Sequence, residues 1–276
     1  MARPIIAWLT DFGIRDHYAG TMKGVALGIC PDVTLVDITH EIPPHDVLAG
    51  ALELAACYKY FPPGTIFVVV VDPGVGSARR GLAAEAAGYR FVAPDNGVLT
   101  MVFREAPPKR VVELTERRYA RPTVSRTFEG RDRFAPAAAW LARGVELGAL
   151  GRPLTSWQLL DVPEPVVSEP SIVGQVLRVD RFGNLVTNVD RRTFERFAGA
   201  GAIDITAGTH AIGKVVATYA EAEPGGVCAL FGSTDHLEIA VNGGSAAERL
   251  QLGRGARVTI SRAGGSGGRG SRAGGK

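Results

Sequence analysis

Asp72 closes the apolar run Thr65–Val71 and is followed by Pro-Gly-Val-Gly-Ser-Ala-Arg-Arg, which sets a carboxylate and the Arg79 guanidinium a few residues apart on one turn. A carboxylate beside a guanidinium stays ionised and oriented, and such a group can position a water molecule and receive its proton. Gly74 and Gly76 allow the backbone to approach a ligand closely. The turn is not a P-loop, since no Gly-Lys-Ser/Thr follows, and it fails GxGxxG because Arg79 stands where the third glycine belongs. Asp11 in LTDFG and Asp95 in APDNG end apolar runs in the same manner, and His40 ends another. A single carboxylate after a strand is often only a helix cap. Three of them, each with Gly or Pro within two residues, form a more specific pattern at the strand ends where open α/β sheets bind ligands.

Three further segments carry polar groups. Thr127–Ala139 (TFEGRDRFAPAAA) sets Glu129, Arg131 and Asp132 ahead of a helix, with Asp132 either a site residue or an N-cap. Asp180–Asn188 (DRFGNLVTN) reads as a turn whose Asn184 and Asn188 are turn residues or two-way hydrogen-bonders for a nucleoside. Gly232–Ala246 arranges Ser233, Glu238 and Asn242 around a short strand. His40, Glu41 and His45 lie close together, but they lack HExxH spacing and Pro43-Pro44 forbids a helix there, so no metal site is expected. No Ser-His-Asp or Cys-His nucleophile motif is present.

These residues need a frame. Apolar or β-branched runs at Ile5–Thr10, Val33–Thr39, Thr65–Val71, Tyr89–Ala93 and Val111–Thr115 alternate with helical spacing at Tyr18–Ile29, Val47–Phe61 and Phe134–Arg143. The pattern predicts an α/β N-terminal domain with a mainly parallel sheet. Beyond Pro163-Glu164-Pro165 the runs become short and Gly-punctuated: Ile172–Val179, Leu185–Val189, Ala202–Thr206, Lys214–Thr218, Cys228–Phe231, Leu237–Val241 and Arg257–Ser261. They predict a small all-β, barrel-like C-terminal domain. The expected division is 1–165, 166–263 and a disordered Gly/Ser/Arg tail over 264–276.

Composition narrows the function classes. The 276 residues are 46% hydrophobic and 21% charged, ordinary for a globular protein. Lys+Arg number 31 against 28 Asp+Glu, but Arg269, Arg272 and Lys276 sit in the acid-free tail, so the body is neutral and no nucleic-acid partner is expected. Ile66–Val71, the longest strongly apolar run, is far short of a membrane span, and Ile5–Leu9 is too short for a secretory segment. Cys30, Cys57 and Cys228, odd in number and without CxxC, fit a reducing cytoplasm.

Taken in order, LTDFG, VDITHEIPPHDVLAGA, VDPGVGSARR, APDNG, FEGRDRFAPAA, DRFGNLVTN and GSTDHLEIAVNGGSAAERL resemble the S-adenosyl-L-methionine hydrolases, the SAM hydroxide adenosyltransferase group related to fluorinase and chlorinase. The resemblance covers about residues 5–260 and implies an α/β domain plus a β-barrel, a homotrimer with sites between subunits, and no cofactor. It implies hydrolysis of S-adenosylmethionine to adenosine and L-methionine. Asp72 and Arg79 match two members of an Asp-Arg-His set that holds the nucleophilic water, and Asp11 matches the carboxylate that binds both ribose hydroxyls. Asn184, Tyr219, Ser233, Glu238 and Val241 match the remaining substrate-binding positions. One departure stands out: the histidine of the family's F-H-G-R-D is Glu129 here. Glu129 either completes the trio as a water-orienting group, or it raises a neighbouring carboxylate's pKa and lowers activity, leaving an adenosine or S-adenosylmethionine binder. Halide use, the other alternative, is disfavoured because Asp72 would repel an anion.

Overall fold

The computed structural model describes residues 3–262, so the tail expected over 264–276 lies outside them. The chain divides into two compact units between Asp161 and Val162.

The first unit is built on a seven-stranded sheet. Its strands are β1 (Ile5–Thr10), β2 (Thr34–Thr39), β3 (Ile66–Val70), β4 (Gly81–Ala86), β5 (Tyr89–Pro94), β6 (Arg110–Leu114) and β7 (Gly151–Pro153), in the order β2-β1-β3-β5-β4-β6-β7. The β2-β1-β3-β5 half is parallel, as the unalternating IFVVV run of β3 predicts for a strand buried on both faces. The β5-β4-β6-β7 half is antiparallel, so the sheet is mixed and not mainly parallel. The cause is local. Ala87 (φ 54°) and Gly88 (φ 83°) both adopt left-handed backbone, and two such residues make the tight turn that folds β4 directly back onto β5.

Helices α1 (Tyr18–Ile29), α2 (Val47–Cys57), α3 (Thr100–Glu105) and α4 (Ala135–Ala142) cover the sheet. Met22 and Ala26 of α1 and Ala135, Ala137, Ala138 and Ala139 of α4 share one core with Trp8, Val68 and Val92. Leu54 of α2 and Val102 and Phe103 of α3 share the other with Leu9, Phe67 and Phe91. Alternate residues of β1 and β3 thus feed opposite cores, which fixes strand register against both helix layers.

The second unit contains β8 (Val166–Ser168), β9 (Ser171–Val179), β10 (Leu185–Asp190), β11 (Ile203–Ala207), β12 (His210–Ile212), β13 (Val227–Phe231), β14 (His236–Val241) and β15 (Arg257–Arg262). The order is β12-β11-β15-β9-β10-β14-β13, with β8 paired to β9. Val215, just past β12, bridges Ala229 of β13, so the two edges of the sheet nearly close into a barrel. Lys214–Thr218 therefore supplies one bridge and not the strand its sequence suggests. Two helices went unpredicted, α5 (Arg191–Ala198) and α6 (Ala246–Leu250), capped by the Asp190 carboxylate and the Ser245 hydroxyl. No helix among the described residues is long and apolar enough to cross a membrane.

Candidate active site

β1 and β3 are adjacent and parallel, with Thr10 opposite Val70, so the residues that follow them emerge side by side at one end of the sheet. Asp11 follows the first and Asp72 the second. A π-turn at Gly130–Phe134 leads into α4 and sets Glu129 beside them. Such turns carry one more residue than an α-turn and recur at functional sites.

Arg79 binds the two carboxylates together. Its Nε donates to Asp72 Oδ1 at 3.1 Å, and its Nη2 donates to Asp72 Oδ2 at 2.5 Å and to Glu129 Oε2 at 2.8 Å. Its Nη1 donates to the Arg80 carbonyl at 3.0 Å, and the guanidinium lies 5.4 Å from the Phe134 ring centroid. All three side chains are nearly dry, between 5% and 10% exposed. Arg133 donates to the other Glu129 oxygen, Oε1, at 3.2 Å. Burial pushes the Asp72 carboxyl up, Arg79 pulls it down and Glu129 pushes it up again, with a net rise above the ordinary aspartate value.

The loop that delivers Arg79 depends on one glycine. Gly76 has φ 76°, and a Cβ there would stand 2.2 Å from the Arg126 carbonyl oxygen, so only glycine lets the 72–79 loop rest against the strand of chain leading to Glu129.

Asp11, Asp72 and Glu129 line one cavity of about 230 Å³ with Phe12, Tyr18, Pro44, His45, Val70, Val75, Thr127, Phe128 and Gly130. Asp11 Oδ2 accepts the His45 N–H at 2.8 Å, and His45 is held at φ 67°, an uncommon conformation for a residue with a side chain. Phe12, Tyr18 and Phe128 pack edge-on or tilted at centroid separations of 5.0–6.1 Å and give the cavity an aromatic wall. Sequence reasoning missed this wall and Arg133, although Phe12 and Phe128 stand next to the motif carboxylates Asp11 and Glu129.

Other candidates lie elsewhere. Asp95 pairs with Arg80 and accepts the Gln158 N–H, tying the end of β5 to the 156–160 segment. His40 is buried between the Thr10 hydroxyl (2.8 Å) and Asp37 (3.1 Å). Asp132 is fully buried and is not the helix cap: it accepts the Ser125 N–H and both ends of the Arg131 fork, with Arg121 at 3.2 Å. Among the described residues, no three His, Cys, Asp or Glu side chains are grouped as metal ligands would be.

The second unit holds its own polar cluster. Tyr219 donates its hydroxyl to Glu238 Oε2 at 3.2 Å, and burial together with Glu238 pushes the phenol up to about 12. Glu238 is buried, which pushes its carboxyl up; Tyr219 pulls it down, Asp180 raises it further, and the net is a rise. Asp180 accepts the Asn184 amide at 2.9 Å and the N–H groups of Phe182 and Asn184, which fixes the turn. Ser233 is exposed between β13 and β14, and Val241 is packed in the unit's core.

Fold and site define a two-unit protein in which an α/β sheet end presents a dry Asp-Arg-Glu centre and a barrel-like β unit follows it. Residues 6–151 match the model of the SAM hydroxide adenosyltransferase N-terminal domain and residues 174–259 that of its C-terminal domain. The chain belongs to the SAM hydroxide adenosyltransferase family. It is 37% identical to the (R)-S-adenosyl-L-methionine hydrolase of Thermus thermophilus, over 94% of this chain and 99% of that one. It is 31% identical to a fluorinase of Nocardia brasiliensis over 94% of this chain and 97% of that one. A crystal structure of an uncharacterized conserved protein from Thermotoga maritima is similar at 36% identity, covering 93% of this chain and all of that one, with a TM-score of 0.88.

Proposed function

We propose that this protein hydrolyses S-adenosyl-L-methionine to adenosine and L-methionine without a cofactor. The observation that carries the reading is the dry Asp72–Arg79–Glu129 centre on a cavity it shares with Asp11, in a chain similar over nearly its whole length to hydrolases of that name. Water attacks the ribose C5′ and the C5′–S bond breaks. The bonding pair stays on sulfur, which turns the sulfonium into the neutral thioether of methionine. The proton of the attacking water goes to Asp72 and then to solvent. The leaving group is already good, so the protein's task is to align the water, dry the site and accept the proton.

Asp72 is the proton acceptor in this reading. A carboxylate has about four lone-pair sites, and Arg79 occupies two of them, which leaves room for the water. Arg79 keeps Asp72 oriented, and Glu129 takes the position of the family histidine and orients the water. Asp11 accepts both ribose hydroxyls. In a homotrimer, Asn184, Tyr219, Ser233 and Glu238 of a neighbouring subunit would read the rest of the substrate, whereas Val241 packs in the core of its own unit. The cavity of the α/β unit alone is about 230 Å³, under the roughly 300 Å³ at which small-molecule pockets begin. A homotrimer, in which a neighbouring subunit supplies a further wall, meets that need, and a cytoplasmic location suits the three free cysteines.

The similarity to fluorinase raises a halide as the other nucleophile. Asp72 on the cavity opposes it, because a carboxylate repels an anion where it helps deprotonate water. The test is incubation with S-adenosylmethionine in halide-free buffer containing EDTA, with adenosine and methionine followed by chromatography beside Asp72→Ala. Adenosine from the wild type and none from the variant supports hydrolysis. Tight adenosine binding without turnover would leave a binding protein in its place. Sedimentation equilibrium tests the trimer.

A further inference from the structure

We propose that Arg133 is a positioning residue of this site, one that holds Glu129 between two guanidinium groups so that its carboxylate faces Arg79 and the cavity. The proposal rests on the hydrolase reading given above.

Four side chains and one backbone group form an unbroken chain of charge-assisted bonds. The Leu114 carbonyl at the end of β6 accepts from Arg133 Nη2 at 2.6 Å, and Arg133 Nη1 reaches Glu129 Oε1 at 3.2 Å. Glu129 Oε2 accepts from Arg79 Nη2 at 2.8 Å, and Arg79 grips Asp72 with Nε and Nη2. The signs alternate along it, two carboxylates against two guanidinium groups. Without Arg133 a single guanidinium would serve two carboxylates that are nearly out of water, an arrangement with a net buried negative charge. Arg133 thus supplies the cation that a glutamate at position 129 needs and that a neutral histidine would not.

The geometry also fixes direction. Arg133 is four residues beyond Glu129: Glu129 directly precedes the π-turn and Arg133 lies in it. Its second nitrogen is anchored to the sheet, so it sets where the Glu129 carboxylate lies relative to β6, while Arg79 sets where Asp72 lies relative to Glu129. The charged or titratable groups around Glu129 are Arg79 and Asp72 from the loop after β3, Arg133 from the π-turn, and Asp11, Tyr18 and His45 lining the same cavity.

The experiment compares Arg133→Met and Arg133→Lys, each alone and in a Glu129→His background, with kcat and KM for S-adenosylmethionine measured across pH 6–10. Arg133→Met is expected to lower kcat about tenfold or more with KM changed less than about threefold. Its acid limb should move to higher pH, because Asp72 then faces Glu129 with one cation fewer, and Arg133→Lys should recover part of both losses. In the Glu129→His background the same Arg133→Met change should cost less than about twofold, since no carboxylate remains to be held. An equal cost in both backgrounds, or an unmoved acid limb in Arg133→Met, overturns the proposal. Should Arg133→Met not fold, Arg133→Lys carries the comparison between backgrounds with the same criterion. Carboxyl titration by carbon NMR separates the two readings. A wild type that releases no adenosine sinks the hydrolase assignment, whereas an Asp72 titration that Arg133→Lys and Arg133→Met leave unchanged sinks the role of Arg133.

Discussion

In the α/β unit, Asp72 and Glu129 are buried against the guanidinium groups of Arg79 and Arg133, whereas in the β unit Glu238 is buried against the phenol of Tyr219 with Asp180 nearby. Both carboxyls rise when burial is counted alone, and they part in what answers it. A guanidinium returns Coulombic energy only to the ionised form, so the first cluster is a place to keep and use a negative charge. A phenol hydroxyl gives one neutral hydrogen bond and no charge, so the second suits recognition by hydrogen bonding. Burial alone does not assign a carboxylate's work; its partner does.

The sharpest break of that comparison is Asp72→Asn, which keeps shape and removes the charge. Its turnover should fall by about two to four orders of magnitude while the melting temperature holds or rises, since general-base groups contribute that much; adenosine release and thermal melting are the readouts. Stability is tested by Asp132, the fullest case of guanidinium pairing. Burial raises its carboxyl, but Arg131, the Ser125 N–H and Arg121 outweigh that and hold it below the ordinary value. Its stabilisation is therefore complete above the unfolded aspartate pKa and is lost as pH falls through the lower folded one. Because Arg131 and Arg121 keep contact with solvent, Asp132→Ala should cost only about 1–3 kcal/mol in urea unfolding at neutral pH, less than the loss of a fully buried pair. The difference from wild type should shrink at strongly acid pH.

Glu129→Gln sharpens the comparison from the other side. Glu129 pushes the Asp72 carboxyl up, so removing its charge should carry the acid limb of the rate profile to lower pH, the opposite sign to Arg133→Met. Equal signs for the two variants would mean that the cluster does not act through charge. The smallest effect is expected from Glu238→Gln, which preserves an acceptor for Tyr219. It should raise KM several-fold with kcat within about twofold, as loss of binding that is equal in ground and transition states does.

Sequence legibility follows the same physics. The parallel half of the sheet is visible because β3 is β-branched without alternation, and Asp11 and Asp72 are visible because each ends such a run. β4 (GLAAEA) is not, since alanine and glycine are poor strand formers and only pairing on both sides makes it one. Its small residues are required by packing: a Cβ at Gly81 would meet the Phe134 ring at 2.7 Å. The strongly charged α5 buries Phe194 and Phe197 in the core with Ala198 packed beside them, too few to mark a helix in a stretch of short strands. Lys214–Thr218 has strand composition, yet it makes one bridge in a turn-rich passage. Glu129 stands out by motif, whereas Arg133 gains meaning only when the π-turn and the end of β6 come together.

That turn has an arithmetic consequence. The five-residue π stretch Gly130–Phe134 carries one residue more than an α-helical turn would hold. Deleting a single residue there would let the helix run on regularly and would swing everything before it by about 100°, the rotation one residue contributes. Glu129 would leave the cavity while Ala135–Ala142 kept its packing. One codon thus decides whether position 129 faces the cavity or turns away from it.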